Sequence, residues 1–556
     1  MNIKQAKDYI KNSVSLYLKK DEFGDYRVPV VRQRPIFLLG APGIGKTAIM
    51  EQIAQELGIA LVAYSMTHHT RQSALGLPFI EKKNYGGKEY PVSEYTMSEI
   101  IASIYDTMEE SGIKEGILFL DEINCVSETL APSMLQFLQY KVFGRHAVPE
   151  GWVIVTAGNP PEYNKSVREF DVVTMDRLKV LPVEPDYRIW KEYATERGVH
   201  AAVLNFLDLK KECFYVMEMT TQGRSYVTAR GWEDLSEILK LYEEEELKVE
   251  ESLVEQYIRN PKVVKEFTAY YDLFNKYKKD YRVEEILAGA PSVQALARAK
   301  EASFDERLSL LGMLLDKVQA EMKDVMEQAA YLSELRAPLK ALLTKAQEGK
   351  AGNAAAMEES VESASGNGAG ATRESSDALA GMIHMLDQMI EGRRKLLYNL
   401  QTAGSLSDED KRKNKRVLRF LEDRRKELFL REFSEEMHSD VSEKGMQATG
   451  ENGGGSIRDG QIASNWIKQK YNGEVARMKQ ETQRTGEQLH AMFSFVEQAF
   501  QNGNEMLILV TELTVGKSSS AFIATFGSED YRRHNEELML SERQNDLKGK
   551  IAELGL

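Results

Sequence analysis

The sequence predicts an α/β protein whose core is a parallel sheet flanked by helices, with helical regions over the rest of the chain. Short apolar runs alternate with helical patterns between residues 33 and 184, which is typical of parallel strands connected by helices. From residue 185 onwards helical patterns dominate. All 14 prolines lie at or before Pro338, so nothing in the last part of the chain prevents long helices.

Five apolar runs predict the strands of the sheet. A strand that is buried on both faces of a parallel sheet is a continuous apolar run, without the alternation of a half-exposed strand. The first run is followed by a predicted helix in which Ile49, Ile53 and Leu57 share one face, and Gly58 is a natural end for this helix. The five predicted strands are 35–39, 61–65, 117–120, 153–157 and 179–183.

Composition divides the chain further. Two segments are rich in Gly, Ser and Glu and almost without aromatic residues, so we predict that they are flexible linkers. The predicted segments are a helical lead-in (1–32), the α/β core (33–184), a helical lid (185–260), a helical extension (261–348), a linker (349–376), a helical segment (377–437), a second linker (438–460) and a C-terminal helical segment (461–556).

Composition also excludes several classes of protein. The 556 residues carry 72 Lys and Arg against 86 Asp and Glu, and the net charge of −14 argues against a general nucleic-acid coat. No apolar stretch approaches ~18 residues, and the start of the chain lacks an apolar signal core. Cys125 and Cys213 have unrelated spacings, which excludes a disulfide framework and a thiolate zinc site. We therefore expect a cytoplasmic protein.

The segment from Gly40 to Thr47 carries the clearest chemical signal. It reads G-x-x-x-x-G-K-T, follows a predicted strand and opens a predicted helix, which is the context of a phosphate-binding loop. Backbone N–H groups can turn toward a phosphate here because glycine occupies the tight positions, and the helix N-terminus adds partial positive charge. The expected nucleotide-binding residues are Gly40, Ala41, Pro42, Gly43, Ile44, Gly45, Lys46, Thr47 and Ala48.

Two adjacent acids provide the second half of a hydrolytic site. Asp121 and Glu122 directly follow the apolar run 117–120. We predict that Asp121 and the Thr47 hydroxyl hold Mg²⁺, and that Glu122 activates a water molecule as general base. An ordinary solvated strand end is the alternative, and the presence of the phosphate-loop motif weighs against it.

Four motifs, GAPGIGKT, LFLDEIN, TAGNPP and TARGW, resemble those of the AAA+ ATPases, most closely the MoxR branch. The resemblance covers about residues 33–260 and implies an α/β P-loop AAA+ core with an α-helical lid and ATP as the nucleotide. It implies that Asn159 is a sensor 1 residue that orients water. It also implies that Arg177 is an arginine finger, with Arg168 as the rival choice, and that Arg230 is a sensor 2 residue.

The resemblance further implies a ring, hexameric in this family, that remodels or matures a protein partner in a chaperone-like role. A von Willebrand factor A domain protein is the partner it suggests. Other functions stay open at this stage: a nucleic-acid motor or restriction-type NTPase, a nucleoside kinase and a nucleotide-regulated scaffold. No base-reading residue is identifiable, so the residues alone do not separate ATP from GTP.

Two further segments have weaker patterns. Extended arms flank Asn84 to Gly87, which predicts a hairpin. The charged segment 407–426 starts with acids and continues with bases, which favours a solvated helix over a nucleic-acid surface. His68 and His69 have no third ligand at metal-binding spacing, so we expect no metal there.

Overall fold

The computed structural model describes residues 1–68, 71–143, 145–163, 167–220, 223–358, 371–442, 455–501 and 503–538. The chain divides into two compact units. Unit 1 consists of Met1–Asp280, Phe304–Gly312 and Tyr398–Ser407, and unit 2 consists of Tyr281–Ser303, Met313–Leu397 and Asp408–Leu556.

The strands all lie in unit 1. In chain order they are β1 Ile36–Gly40, β2 Ala60–Ser65, β3 Pro78–Tyr85, β4 Lys88–Tyr95, β5 Gly116–Asp121, β6 Val142–Phe143, β7 His146–Ala147, β8 Trp152–Gly158, β9 Lys179–Val183, β10 Val216–Thr220 and β11 Gly223–Val227.

The α-helices span both units. Those that begin before residue 280 are α1 Ile3–Tyr17, α2 Lys46–Leu57, α3 Arg71–Leu75, α4 Glu99–Ser111, α5 Ala131–Tyr140, α6 Val172–Asp176, α7 Tyr187–Arg197, α8 Ala201–Leu209, α9 Ala229–Glu244, α10 Glu251–Tyr257 and α11 Pro261–Tyr281. The later helices are α12 Val283–Leu287, α13 Val293–Glu301, α14 Phe304–Glu358, α15 Ala371–Thr402, α16 Asp408–Ser442, α17 Gly455–Phe500, α18 Asn504–Val515 and α19 Lys517–Phe526.

The central sheet of unit 1 has five parallel strands in the order β2-β5-β8-β1-β9. Its register places Ile36 beside Val155 of β8 and beside Lys179 of β9. Strand β8 is buried along its whole length, as its continuous apolar sequence predicts. All five predicted strands are confirmed. Because the strands are parallel, the loops after β1, β5 and β8 leave from the same edge of the sheet.

Helices cover both faces of this sheet, as predicted. Helices α1 and α2 pack on one face, and α4 and α5 pack on the other. Gly58 ends α2 in a left-handed conformation (φ 65°), also as predicted. The buried helix side chains are Ile10, Val14, Ile49 and Ile53 on the first face and Ile100, Ile104, Met134 and Phe137 on the second.

The hairpin predicted around Asn84 to Gly87 is confirmed. Strands β3 and β4 pair antiparallel, with Tyr85 opposite Lys88. Gly86 and Gly87 form the turn with positive φ angles of 61° and 84°, which glycine adopts without strain.

The lid region is mainly helical but contains a hairpin that the sequence pattern did not reveal. Strands β10 and β11 pair antiparallel within the segment predicted as helical only. Gly223, with φ 124°, begins β11 and is the signal that could have indicated the turn. The lid packs around the buried Trp232, whose ring centroid lies 5.3 Å from that of Phe267 in α11. Unit 1 therefore includes residues 261–280, which the sequence places in the extension.

Four long helices of unit 2, α14, α15, α16 and α17, pack around one apolar core. This core accounts for the mostly helical C-terminal region that the sequence predicts. Its fully buried residues include Leu335, Leu342, Leu386, Val417 and Ile467.

The predicted linkers need correction at their ends. Helix α14 continues to Glu358, α15 begins at Ala371, α16 continues to Ser442 and α17 begins at Gly455. The flank of α14, residues 349–358, is rich in Ala, which favours helix, and each added residue extends a helix that is already nucleated. The central parts of both linkers, 359–370 and 443–454, lie outside the described residues.

None of the helices in the described ranges combines the length and the apolar composition that a membrane span requires. Helices α18 and α19 reach the length and apolar composition of a membrane span only when they are taken together, and the chain bends by 89° between them.

Candidate active site

The loop between β1 and α2 is shaped to accept an anion. Gly43 and Gly45 have φ angles of 73° and 89°, a region that side chains disfavour. A Cβ atom at Gly43 would lie 3.2 Å from the Cβ of Thr228. Gly45 caps α2 without a side-chain hydrogen bond, so the first N–H groups of this helix have no side-chain cap. Such a helix N-terminus favours phosphate.

Lys46 is the buried cation of this loop, with only 8% of its surface exposed. Its Nζ donates hydrogen bonds to the backbone oxygens of Gly40 and Ala41 at 2.8 and 2.9 Å. It also donates to Oδ1 of Asn159 at 2.8 Å. Burial lowers the pKa of Lys46 to about 8, against the nearby charge of Asp121, which raises it. A desolvated ammonium of this kind gains strongly from a bound anion.

Thr47 and Asp121, the two residues expected to hold Mg²⁺, lie within hydrogen-bond distance of each other. The Thr47 Oγ1 donates to Oδ2 of Asp121 at 3.2 Å, although 74 residues separate them in sequence. The other carboxylate oxygen, Oδ1, accepts from the backbone N–H of Glu122 at 2.8 Å. A hydroxyl and a carboxylate side by side are hard oxygen ligands, so this pair fits Mg²⁺.

Glu122 is held by two hydroxyls that the sequence did not single out. Its backbone is left-handed, with φ 54°. Its Oε2 accepts hydrogen bonds from Ser65 Oγ at 3.1 Å and from Thr67 Oγ1 at 2.8 Å. The parallel register places Ser65 directly beside Asp121. Polar residues at the carboxyl end of β2 were the available signal, but only the strand order makes β2 and β5 neighbours.

Asn124 is a third residue that the sequence reasoning missed. Its Nδ2 donates to the backbone oxygen of Asn159 at 2.8 Å, and its own backbone oxygen accepts from the N–H of Arg168 at 2.9 Å. Its Oδ1 is buried without a hydrogen-bond partner in the described part of the chain. A Cβ at Gly158 would lie 2.4 Å from that oxygen, so glycine is required there. Asn124 follows Glu122 by two residues, so its hydrogen bonds connect the acid pair with Asn159 and with the backbone of Arg168.

The three predicted arginines lie in different environments. Arg230 lines the same cleft as the phosphate loop and follows Thr228, the N-cap of α9. Arg177 is exposed at the end of α6, and its side chain makes no hydrogen bond or ion pair within the described ranges. Arg168 is also exposed and pairs with the carboxylate of Glu128. The structure therefore gathers Lys46, Thr47, Asp121, Glu122, Asn159 and Arg230 and leaves Arg168 and Arg177 outside the cleft.

Residues 36–173 match the family model described as "ATPase family associated with various cellular activities (AAA)". This part of unit 1 is an AAA domain. The match includes the phosphate loop, the acid pair, Asn159 and Arg168, whereas Arg177 and Arg230 lie beyond its end. It supports ATPase activity in general terms. No curated protein matches the chain.

The cleft beside the AAA domain's phosphate loop has a volume of about 600 Å³. One wall comes from α1, through Ile3 and Lys4, and another comes from α7, through Ile189 and Trp190. The Nζ of Lys4 lies 2.7 Å from a carboxylate oxygen of Glu192, so an ion pair joins the two walls. No sequence pattern predicts this arrangement, because α1 ends at Tyr17 and the whole of β1 lies between it and the phosphate loop.

The lid contributes a carboxylate to the same cleft. Trp190 Nε1 donates to Oε1 of Glu233 at 2.8 Å, and this contact connects α7 with α9. Burial raises the pKa of Glu233, while the hydrogen bond and the charge of Arg230 lower it. Glu233 and Arg230 are three residues apart on α9, so they lie on the same side of that helix.

Proposed function

We propose that this protein binds ATP with Mg²⁺ and hydrolyses it as a ring-forming, MoxR-like AAA+ ATPase that remodels or matures a protein partner. The observation that supports hydrolysis best is the meeting of Lys46, Thr47, Asp121 and Asn159 at one edge of the sheet. These residues come from three strand ends, and together they supply a cation, a hard oxygen pair and an amide.

Each side chain has a distinct part in this proposal. Lys46 would exchange its carbonyl contacts for oxygens of the β- and γ-phosphates. Thr47 and Asp121 would hold Mg²⁺, which neutralises charge on the phosphates. Glu122 would accept the proton of the attacking water, and Asn159 would orient that water. Arg230 would contact the γ-phosphate from the lid.

The exposed arginines support a site shared between subunits. Arg177 lies outside its own cleft and has no ionic partner in the described ranges, so it is available to a second copy of the chain. Arg168, the rival, is engaged with Glu128. We propose Arg177 as the finger that stabilises negative charge in a neighbouring subunit's site. The hexameric number rests on the family resemblance.

The partner follows from the resemblance, the location follows from the composition and the cysteine usage, and neither follows from geometry. We propose a von Willebrand factor A domain protein as partner and the cytoplasm as location. The alternative, a nucleic-acid-associated motor, has less support. In the charged helix α16, Arg412 and Arg425 form ion pairs with Glu327 and Asp387, so their charges are partly neutralised within unit 2.

Two substitutions test the hydrolytic proposal. Lys46→Ala should abolish ATP binding in calorimetric titration, because it removes the buried cation. Glu122→Gln should bind ATP normally and hydrolyse it ~10²–10⁴-fold more slowly. Glu109→Gln, an exposed position on α4, is the matched control and should leave both properties unchanged. Wild-type binding by Lys46→Ala, or wild-type turnover by Glu122→Gln, would contradict the proposal.

A further inference from the structure

Three helices of unit 2, α14, α16 and α17, border a second cavity of about 500 Å³ that is open to solvent on one side. Four arginines line it, against two carboxylates, which is unusual in a chain with a net charge of −14. It is separate from the residues of the ATPase site, all of which belong to unit 1. The charged lining residues are Arg416, Arg419, Arg424, Arg477, Asp423 and Glu474.

The sequence of α16 accounts for this concentration of charge. The cavity-lining residues of α16 begin with Arg416. The others lie three, four, seven and eight positions after it and are Arg419, Phe420, Asp423 and Arg424. That spacing places them on one face of a helix. The basic segment of α16 is therefore not uniformly solvated, because one face of it forms the wall of a cavity.

Arg424 is the most buried of these arginines, with 13% of its side chain exposed. Its guanidinium lies 5.2 Å from the ring centroid of Phe420 and 5.4 Å from that of Trp466. One nitrogen, Nη2, donates to Glu427 at 2.9 Å. The Nε is buried without a hydrogen-bond partner in the described ranges, a condition that costs about 1–3 kcal/mol. The two aromatic rings fix the orientation of a guanidinium whose Nε still lacks an acceptor.

Several of these arginines act electrostatically on one buried residue, Tyr331. Burial raises the pKa of this tyrosine, and the charge of Glu474 adds to the effect. The charges of Arg477, Arg424 and Arg416 act in the opposite direction. Three guanidinium groups therefore lie within electrostatic range of one buried hydroxyl in the cavity wall.

The remaining arginines differ in how far they are neutralised. Arg477 donates to Glu474 at 2.9 Å, and Arg416 lies 3.6 Å from Glu327. Arg419 is exposed and has no hydrogen bond or ion pair within the described part of the chain. The lining thus carries four guanidinium groups and two carboxylates, and two carboxylates outside the lining, Glu327 and Glu427, pair with Arg416 and Arg424.

We propose that this cavity binds a small metabolite that carries two or more linked phosphates. The planar donor fork of arginine matches phosphate oxygens in pairs, and several arginines around one space favour a polyanion over a single carboxylate. The volume lies within the range of small-molecule sites, and Tyr331 and Phe420 supply an apolar surface for the non-phosphate part. Arg419 supplies the guanidinium that is free of internal partners in the described ranges.

Inorganic tripolyphosphate is a suitable probe, titrated calorimetrically into the full-length chain. The Lys46→Ala background keeps the phosphate loop from contributing to the signal. We expect binding that weakens as salt is raised. Arg419→Ala should weaken it about tenfold, and Arg419→Glu should weaken it further. Arg425→Ala, on the same helix but paired with Asp387 and outside the cavity lining, should leave the affinity unchanged.

These variants distinguish binding in the cavity from non-specific electrostatic attraction to basic residues on the protein surface. Arg419 is exposed, so its substitution should leave the helical circular dichroism signal and the melting temperature unchanged. Equal affinity in the Arg419 and Arg425 variants, or no binding to the background protein, would overturn the proposal. Binding of a single-stranded oligonucleotide that depends on Arg419, without binding of tripolyphosphate, would instead assign the arginines to a nucleic-acid surface.

Discussion

The Oγ1 of Thr67 donates a 2.8 Å hydrogen bond to Oε2 of Glu122, and this contact ties the segment after β2 to the acid pair after β5. Ser65 Oγ donates to the same oxygen at 3.1 Å. The direction of the candidate general base is therefore set by hydroxyls from the neighbouring strand and by its own left-handed backbone.

Removal of both hydroxyls should impair hydrolysis without affecting ATP binding. The double variant Ser65→Ala, Thr67→Val leaves Glu122 in place but without its two donors. A hydrogen bond to a charged group is worth ~1.5–3 kcal/mol, so we expect kcat to fall at least about tenfold. Steady-state phosphate release and calorimetric ATP titration measure the two quantities. Thr525→Val, whose hydroxyl donates to Ala521 within α19, is the control. An unchanged kcat would show that the hydroxyls do not position Glu122.

The affinity for ATP should fall as pH rises through about 8. Burial lowers the pKa of Lys46 to about 8, so the free protein loses the ammonium charge above that pH, and the phosphates then meet a neutral amine. Binding should take up close to one proton per ATP at pH 9 and fewer at pH 7. Calorimetry in buffers of different ionisation enthalpy measures this uptake. Lys46→Arg, which stays charged, should remove this dependence. A wild-type affinity that is constant from pH 7 to pH 9 would contradict the assignment.

A site shared between subunits should be restored by mixing two inactive variants. Arg177→Ala should bind ATP but hydrolyse it poorly, since a finger in trans is worth ~10³–10⁵ in rate. Mixed with Lys46→Ala, it should recover activity, because a mixed interface pairs an intact phosphate loop with an intact Arg177. Phosphate release and light scattering follow activity and assembly together. A monomeric wild type with concentration-independent turnover would rule out the shared site. Loss of activity in Arg168→Ala but not in Arg177→Ala would move the finger to Arg168.

Gly158→Ala should damage the site through a steric clash with Asn124. The added Cβ would lie 2.4 Å from Oδ1 of Asn124, and overpacking of this kind costs ~1–3 kcal/mol. Displacement of Asn124 would also remove its hydrogen bond to Asn159. We expect a lower denaturation midpoint and slower hydrolysis. The double variant with Asn124→Ala should recover stability, because the clashing oxygen is gone. Gly381→Ala, a helical glycine with open space around it, should be neutral or stabilising.

The sequence was sufficient for the parts of the site that lie in one local motif. Gly43, Gly45, Lys46 and Thr47 are consecutive or nearly so, and the strand before them and the helix after them have their own local patterns. The acid pair could be predicted for the same reason, because the continuous apolar run 117–120 ends directly before Asp121 and Glu122. Local periodicity also predicted the five strands, their helical covers and the helical C-terminal half.

The hydroxyls of Ser65 and Thr67, the amide of Asn124 and the α1 wall of the cleft depended on the tertiary structure. Ser65 meets Glu122 across 57 residues because β2 lies beside β5 in the sheet order, which no local pattern encodes. The Lys46 to Asn159 contact spans 113 residues for the same reason, since β1 lies beside β8. The cavity of unit 2 also depends on tertiary structure, because one face of α16 forms its wall only where α14 and α17 pack beside that helix. The sequence by itself determined which residues have the chemistry and which local element each occupies. Only the packing of distant elements decided which of them meet, because side-chain contacts depend on distance in space and not on separation along the chain.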